Sequence, residues 1–210
     1  MDPEFWHARW AAGEIGFHEG EANPLLQRYL SRLELAPNSR IFVPLCGKTR
    51  DIAWLRQQGH RVVGAELNQS AVEALFAEMG IVPEIRSLGE LKHYRGPGLD
   101  IYQGDIFALD KATLGAVDAI YDRAALVALP EPLRRQYLQH LRVISDSAPK
   151  LLITFAYDQS QMDGPPFSIP EQAVTRYYSD HYRTTLLESR PVAGGLKGQV
   201  DAQEAIWLLN

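Results

Sequence analysis

Residues 40–67 read RIFVPLCGKTRDIAWLRQQGHRVVGAEL. Arg40 to Leu45 is an apolar, β-prone run that stops at Pro44-Leu45-Cys46-Gly47. Ile52, Leu55 and Arg56 then recur at helical spacing, and Gly59 stands where a C-terminal glycine cap belongs. Arg61 to Leu67 is a second apolar run, closed by Glu66. Strand, tight turn, helix and strand make half of a βαβ unit, and an acid at the end of its second strand is placed to read the hydroxyls of a ribose. The stretch therefore points to a nucleoside-bearing cofactor.

Working outward, the same alternation continues. Strands are expected at 40–45, 61–67, 99–104, 117–122, 150–156, 182–190 and 203–209, and helices near 22–33, 49–58, 69–78, 131–145 and 169–177. Largely apolar strands such as Val117 to Tyr121 and Leu151 to Phe155 suit a parallel sheet covered on both faces. Strands alternating with helices imply a doubly wound α/β fold. Only residues 191–200 join the last two strands, too few for a helical crossover, so those strands are expected to pair antiparallel.

The 210 residues set one domain as the expectation, with enough chain for a full core. A net charge of −5 and the lack of a long basic run argue against nucleic-acid binding. The single cysteine, Cys46, rules out an intrachain disulfide and fits a reducing, cytoplasmic setting. No apolar run is long enough to span a membrane, and the mixed, charged opening MDPEFWHARW is no secretory signal. The histidines are scattered without metal-ligand spacing, so no metal is expected. A monomer is the expected state for a chain of this size.

Two phosphate-binding readings fail on the residues. Gly47-Lys48-Thr49 resembles the end of a P-loop, but GxxxxGK[ST] needs glycine at 42, where this chain has Phe42. A dinucleotide site needs GxGxxG so that backbone can approach a pyrophosphate, and the turn offers one glycine and a proline. S-adenosylmethionine carries a nucleoside without a phosphate. It asks for an acid at the ribose and a turn that lets the methionine part lie close, which Glu66 and the 44–47 turn can provide.

Five blocks of residues, in order, resemble the thiopurine S-methyltransferase family. They are Phe5-Trp6-His7-Ala8-Arg9-Trp10 with Gly13, Gly16-Phe17-His18 and Asn23-Pro24-Leu25-Leu26; Val43 to Asp51; Gly64 to Leu67; Tyr121 to Leu126; and Gly164-Pro165-Pro166-Phe167. The similarity spans nearly the whole chain, thinning after Pro191. It implies a seven-stranded, mostly parallel, Rossmann-like sheet with an antiparallel last strand, S-adenosylmethionine as methyl donor, S-adenosylhomocysteine as product, and a small aromatic or heterocyclic thiol as acceptor.

By position, the resemblance implies cofactor contacts at Trp10, Leu45, Glu66 and Arg123, with Asp105 and Ile106 beside the adenine. Phe17 and Phe167 fall toward the acceptor, and Arg123 is the candidate catalytic group. Each has a plainer alternative: Glu66 a solvated strand-end carboxylate, Arg123 half of an ion pair with Asp122, Phe167 part of an ordinary loop. Trp6 and Trp10 share one helix face, and residues 1–35 are expected to form a helical lid within the single domain. Methyl transfer between sulfurs needs little beyond proximity and alignment. Two other activities on the same fold compete: methylation of tellurium or selenium species, and nucleotide-dependent oxidoreduction.

Overall fold

The computed structural model describes residues 3–13 and 20–210. The deciding stretch folds as β1 (Arg40–Pro44), α3 (Arg50–Gln57) and β2 (Arg61–Glu66), preceded by α1 (Pro3–Ala11) and α2 (Pro24–Tyr29). There follow α4 (Gln69–Glu78), a hairpin of β3 (Glu84–Leu88) and β4 (Leu91–Gly96), β5 (Leu99–Gln103) and α5 (Lys111–Leu114). The chain ends with β6 (Ala119–Asp122), α6 (Glu131–Ile144), β7 (Lys150–Ala156), α7 (Glu171–Tyr178), β8 (Thr184–Pro191) and β9 (Gln203–Leu209).

The strands form one sheet in the order β3-β4-β5-β2-β1-β6-β7-β9-β8. The run β5-β2-β1-β6-β7 is parallel throughout. β9 inserts between β7 and β8 and runs antiparallel to both, so the last strand is antiparallel as the sequence implies. All seven expected strands are present. Two more, β3 and β4, extend the far edge as an antiparallel hairpin. The expected helix at 22–33 is shorter, α2 passing into a 3-10 turn over Leu30–Leu33.

Alternate residues of the central strands face opposite layers. Ile41 and Val43 pack toward α2, α3 and α4, against Leu25, Ile52 and Phe76. Phe42 and Ile120 pack toward α6 and α7, against Tyr137, Leu141 and Val174. Burial on both faces is what the unbroken apolar runs require of parallel strands.

Charged groups lie inside the second layer, among them Lys150, Asp122 and Arg134. Lys150, 1% exposed at the start of β7, holds its ammonium 4.9 Å from the ring centroids of both Tyr178 and Tyr182. Burial lowers its pKa to about 8, with the nearby Asp122 carboxylate working in the opposite direction.

Candidate active site

The strand order reverses between β1 and β6, and in open α/β sheets that switch point opens a crevice at the carboxyl ends of the strands. Here the turn after β1 and the turn after β6 line one narrow crevice of about 20 Å³, with Leu45, Asp51, Tyr121 and Arg123 in its wall. A larger groove of about 380 Å³ lies between α6 and α7, backed by Tyr178 and Tyr182. It contains none of the candidate residues and sits over Lys150, at the amino end of β7, so its size does not make it the site.

The turn after β1 is held in a tight conformation. Leu45 has φ 46°, in the left-handed region that costs a non-glycine residue about 1–3 kcal/mol. Its neighbour Gly47 takes φ 52° without that cost. The Cys46 N–H donates to the Ala65 carbonyl at 3.0 Å, clamping the turn onto β2. Gly64 makes the clamp possible, because a Cβ there would lie 2.8 Å from Cys46 Sγ and 2.7 Å from Ile101 Cδ1. Thr49 then caps α3 by accepting the Asp51 N–H at 3.3 Å.

Glu66 is 7% exposed, not a solvated strand end. Gly47 N–H donates to its Oε2 at 2.7 Å and Asn68 N–H to its Oε1 at 2.8 Å. One carboxylate thus ties the turn after β1 to the turn after β2. Burial raises its pKa, while the backbone donors of Asn68 and Gly47 pull it back toward the ionised form. With two donors satisfied, an ionised carboxylate keeps acceptor capacity for hydroxyl groups.

Arg123 is paired with Asp51, not with its sequence neighbour Asp122. Its guanidinium Nη1 lies 3.4 Å from Asp51 Oδ2. Asp51 is fully buried and also accepts from the Tyr121 hydroxyl at 3.1 Å and from the Asn23 N–H at 2.7 Å. Asn23 in turn caps α2, its side chain accepting the Leu25 N–H at 2.9 Å. Asp51 therefore joins α2, α3, β6 and Arg123 at one point. Asp122 faces the other layer, where it accepts from the Tyr137 hydroxyl at 2.8 Å and the Leu126 N–H at 3.0 Å. That contact closes the turn carrying Arg123, and Ala124 within it has φ 61°.

Asp105 and Ile106 follow β5, next to β2 in the sheet. Asp105 is exposed and caps a 3-10 turn by accepting the Phe107 N–H at 3.0 Å; Ile106 is 2% exposed in the core. Trp10 is on α1, half-buried. That helix meets the β2 end through His7, whose Nδ1 is 3.1 Å from Asn68 Nδ2, beside Glu66. Phe17 lies outside the described residues. Phe167 lies on the α6 side, its N–H donating to the Val127 carbonyl at 2.6 Å and its ring 5.7 Å from the Arg134 guanidinium carbon.

Asp51 is the residue that reading the sequence passed over. The signal was present: an acid standing beside Ile52 and one turn before Leu55, on the helix face that the apolar stripe buries. A charge in such a stripe needs partners, and the crevice provides them.

The same architecture recurs among solved structures at low sequence identity. An enzyme of Burkholderia thailandensis, 1,6-didemethyltoxoflavin-N1-methyltransferase, crystallised with its acceptor and S-adenosylhomocysteine, superposes with a TM-score of 0.65 at 16% identity, over 99% of this chain and 87% of that one. A methyltransferase dependent on S-adenosylmethionine from Anabaena variabilis gives 0.63 at 14% identity, over 99% and 95%. The fold is that of the Rossmann-like methyltransferases dependent on S-adenosylmethionine. Sequence narrows the assignment: the thiopurine S-methyltransferase profile matches residues 1–206. Proteins named thiopurine S-methyltransferase from Xanthobacter autotrophicus and Teredinibacter turnerae are 55% and 48% identical, each over 100% of this chain and over 99% and 98% of their own lengths. This chain belongs to the thiopurine S-methyltransferase family.

Proposed function

We propose that this chain transfers a methyl group from S-adenosylmethionine to the sulfur of an aromatic or heterocyclic thiol of the thiopurine kind. The observation that carries the reading is Glu66, a buried carboxylate at the β2 end that keeps acceptor capacity and faces a turn with no phosphate nest. Family membership supports the choice of cofactor and acceptor. It leaves no need for a dinucleotide oxidoreductase or for tellurium or selenium methylation as readings.

The residues present fit such a cofactor. Glu66 is available for ribose hydroxyls, the left-handed Leu45 turn offers backbone to the methionine end, and Asp105 with Ile106 follows the neighbouring strand for the adenine. Trp10 on α1 and Phe17 belong to the lid reading, in which residues 1–35 close over the ligands and exclude water. The His7–Asn68 contact supports that placement for α1. When bound, S-adenosylmethionine supplies an activated methyl group. This chain's own work is to align and to neutralise charge: Asp51 orients the Arg123 guanidinium toward the crevice, where a fixed fork can meet a carboxylate or a thiolate. Phe167 walls the acceptor side.

No helix among the described residues is long and apolar enough to cross a membrane. We place the protein in the cytoplasm acting on small molecules, a reading supported by the acidic net charge and the single cysteine. Purified protein incubated with labelled S-adenosylmethionine and a panel of thiopurines and thiophenols should yield labelled thioether. Absence of transfer to every acceptor would end this assignment.

A further inference from the structure

The hairpin β3–β4 ends the sheet, and every residue of β3 is exposed. Ile85 is 53% exposed, Leu88 42% and Val82, just before the strand, 94%. Free edges are normally blunted by charged side chains, above all lysine, by proline, by a bulge or by a covering element, because unpaired backbone groups recruit another strand. Pro83 stands just before β3 and still offers its carbonyl as an acceptor. β3 has no lysine and no irregularity in its pairing with β4. Its two charges, Glu84 and Arg86, neutralise each other at 2.5 Å.

Turn geometry fixes which backbone groups are free. Two-residue turns at Gly89-Glu90 and Pro97-Gly98 join the pairs Leu88–Leu91 and Gly96–Leu99. Antiparallel partners alternate between those exchanging both hydrogen bonds and those exchanging none, and the pair flanking a two-residue turn exchanges both. The backbone of Glu84, Arg86 and Leu88 therefore faces β4. The N–H and C=O groups of Ile85 and Ser87 face outward.

We propose that a second copy of this chain pairs antiparallel with β3 about a two-fold axis at Ile85. In that register each Ile85 exchanges both backbone hydrogen bonds with the partner's Ile85, and Ser87 N–H donates to the carbonyl of the partner's Pro83. Glu84 stands opposite the partner's Arg86, and Arg86 opposite the partner's Glu84. Val82 meets the partner's Leu88, so apolar faces apolar at 82/88 and 85/85, acid faces base at 84/86, and only the small Ser87 meets the partner's Pro83. Neighbouring registers lose this match. Moving the axis to Arg86 sets two guanidinium groups opposite each other, and moving it to Ser87 sets Glu84 opposite the partner's Glu90. The self-complementarity is that of an isologous interface. One strand per subunit gives a small contact, so the association is weak and depends on concentration.

Sedimentation or light scattering across a concentration series tests this. The mass should rise from 23.6 kDa toward twice that value. Ile85→Lys should hold it at 23.6 kDa with circular dichroism and methyl transfer unchanged, since Ile85 is exposed on the edge strand, with β4, β5 and β2 between it and the strand β1 that leads into the crevice. The native thiol, Cys46, is buried, so cross-linking reports on introduced cysteines. On mild oxidation Ile85→Cys should form a covalent dimer and Ser87→Cys should not. A mass fixed at 23.6 kDa, association of Ile85→Lys equal to the parent, or equal cross-linking of the two cysteine variants would each overturn the proposal.

Discussion

Asp51 and Arg123 meet 3.4 Å apart across the switch point, one from the first turn of α3 and the other from the turn after β6. Asp51 is fully buried and Arg123 nearly so, so the pair is little screened by solvent, and Asp51 holds two further donors. Removing one partner of a buried pair leaves the other group uncompensated. Asp51→Ala should therefore lower stability by about 3–5 kcal/mol in chemical denaturation. Asp51→Asn keeps a carbonyl acceptor for the Asn23 N–H and should fold, with Arg123 losing its charged contact to Asp51 and turnover reduced. Full activity in a stable Asp51→Asn variant would remove Asp51 from the machinery.

Arg123 itself separates alignment from grip. Arg123→Lys preserves the charge but loses the planar fork. If the guanidinium acts on the reacting groups, turnover should fall by about 10²-fold with donor affinity little changed. Titration calorimetry with S-adenosylmethionine alongside steady-state kinetics makes the distinction. A fall confined to donor affinity would assign Arg123 to cofactor binding alone.

Glu66→Gln should weaken donor binding by about 1.5–3 kcal/mol, the range for hydrogen bonds to a charged group. Burial raises the Glu66 pKa, so the folded state holds the proton more tightly than the unfolded chain. Stability from this group is therefore greatest below the ordinary value of 4.5 and declines as pH rises through the raised folded value. Donor affinity runs the other way, falling as pH drops through that value and the carboxylate is lost. Calorimetry at several acidic pH values should show this fall in the parent and a flat profile in Glu66→Gln.

Gly64→Ala tests the clamp between the first turn and β2. Its Cβ would crowd Cys46 Sγ and Ile101 Cδ1, and overpacking of that kind costs about 1–3 kcal/mol. Because the Leu45–Gly47 turn must shift to admit the methyl group, donor affinity should drop along with the melting temperature. Unchanged affinity in the variant would show the turn to be indifferent to its seat on β2.

Lys150 gives a separate signature at alkaline pH. Its pKa is lowered to about 8, so between there and the ordinary value of 10.5 the unfolded chain binds more protons than the folded one. Stability contributed by this site must then rise with pH across that window. The unfolding free energy of the parent relative to Lys150→Met, from urea titrations, should climb between pH 8 and 10, by about 2–3 kcal/mol in all. A constant difference between the two proteins would show that Lys150 titrates normally.

Much of the fold could be read because central strands buried on both faces write continuous apolar runs, as in Ile41–Val43 and Leu151–Ile153. The β3–β4 hairpin was not legible for the opposite reason. Glu84–Leu88 buries no residue, and β4 buries Leu91 and Tyr94 at a spacing of three, so neither carries the alternation that marks a half-buried strand. At the site, the position of Glu66 was visible as a strand-end acid. Its partners Gly47 and Asn68 were not, since both bonds come from backbone whose direction depends on the folded turns. Sequence adjacency suggested Asp122 for Arg123, but strand parity at the end of β6 sends Tyr121 to Asp51 and Asp122 to Tyr137, and the turn that follows brings Arg123 back to Asp51.

Cys46 lies 6% exposed against the glycine of β2, and burial, reinforced by the Glu66 carboxylate, holds its thiol well above the usual range. Thiolate is the form that attacks disulfides and is oxidised. A protein that handles sulfur nucleophiles thus has its only cysteine in the wall of the crevice, but buried and disfavoured as thiolate. Oxidised acceptor, present as disulfide, should therefore exchange poorly with it, and intact-mass measurement after incubation with such a disulfide should return the unmodified protein.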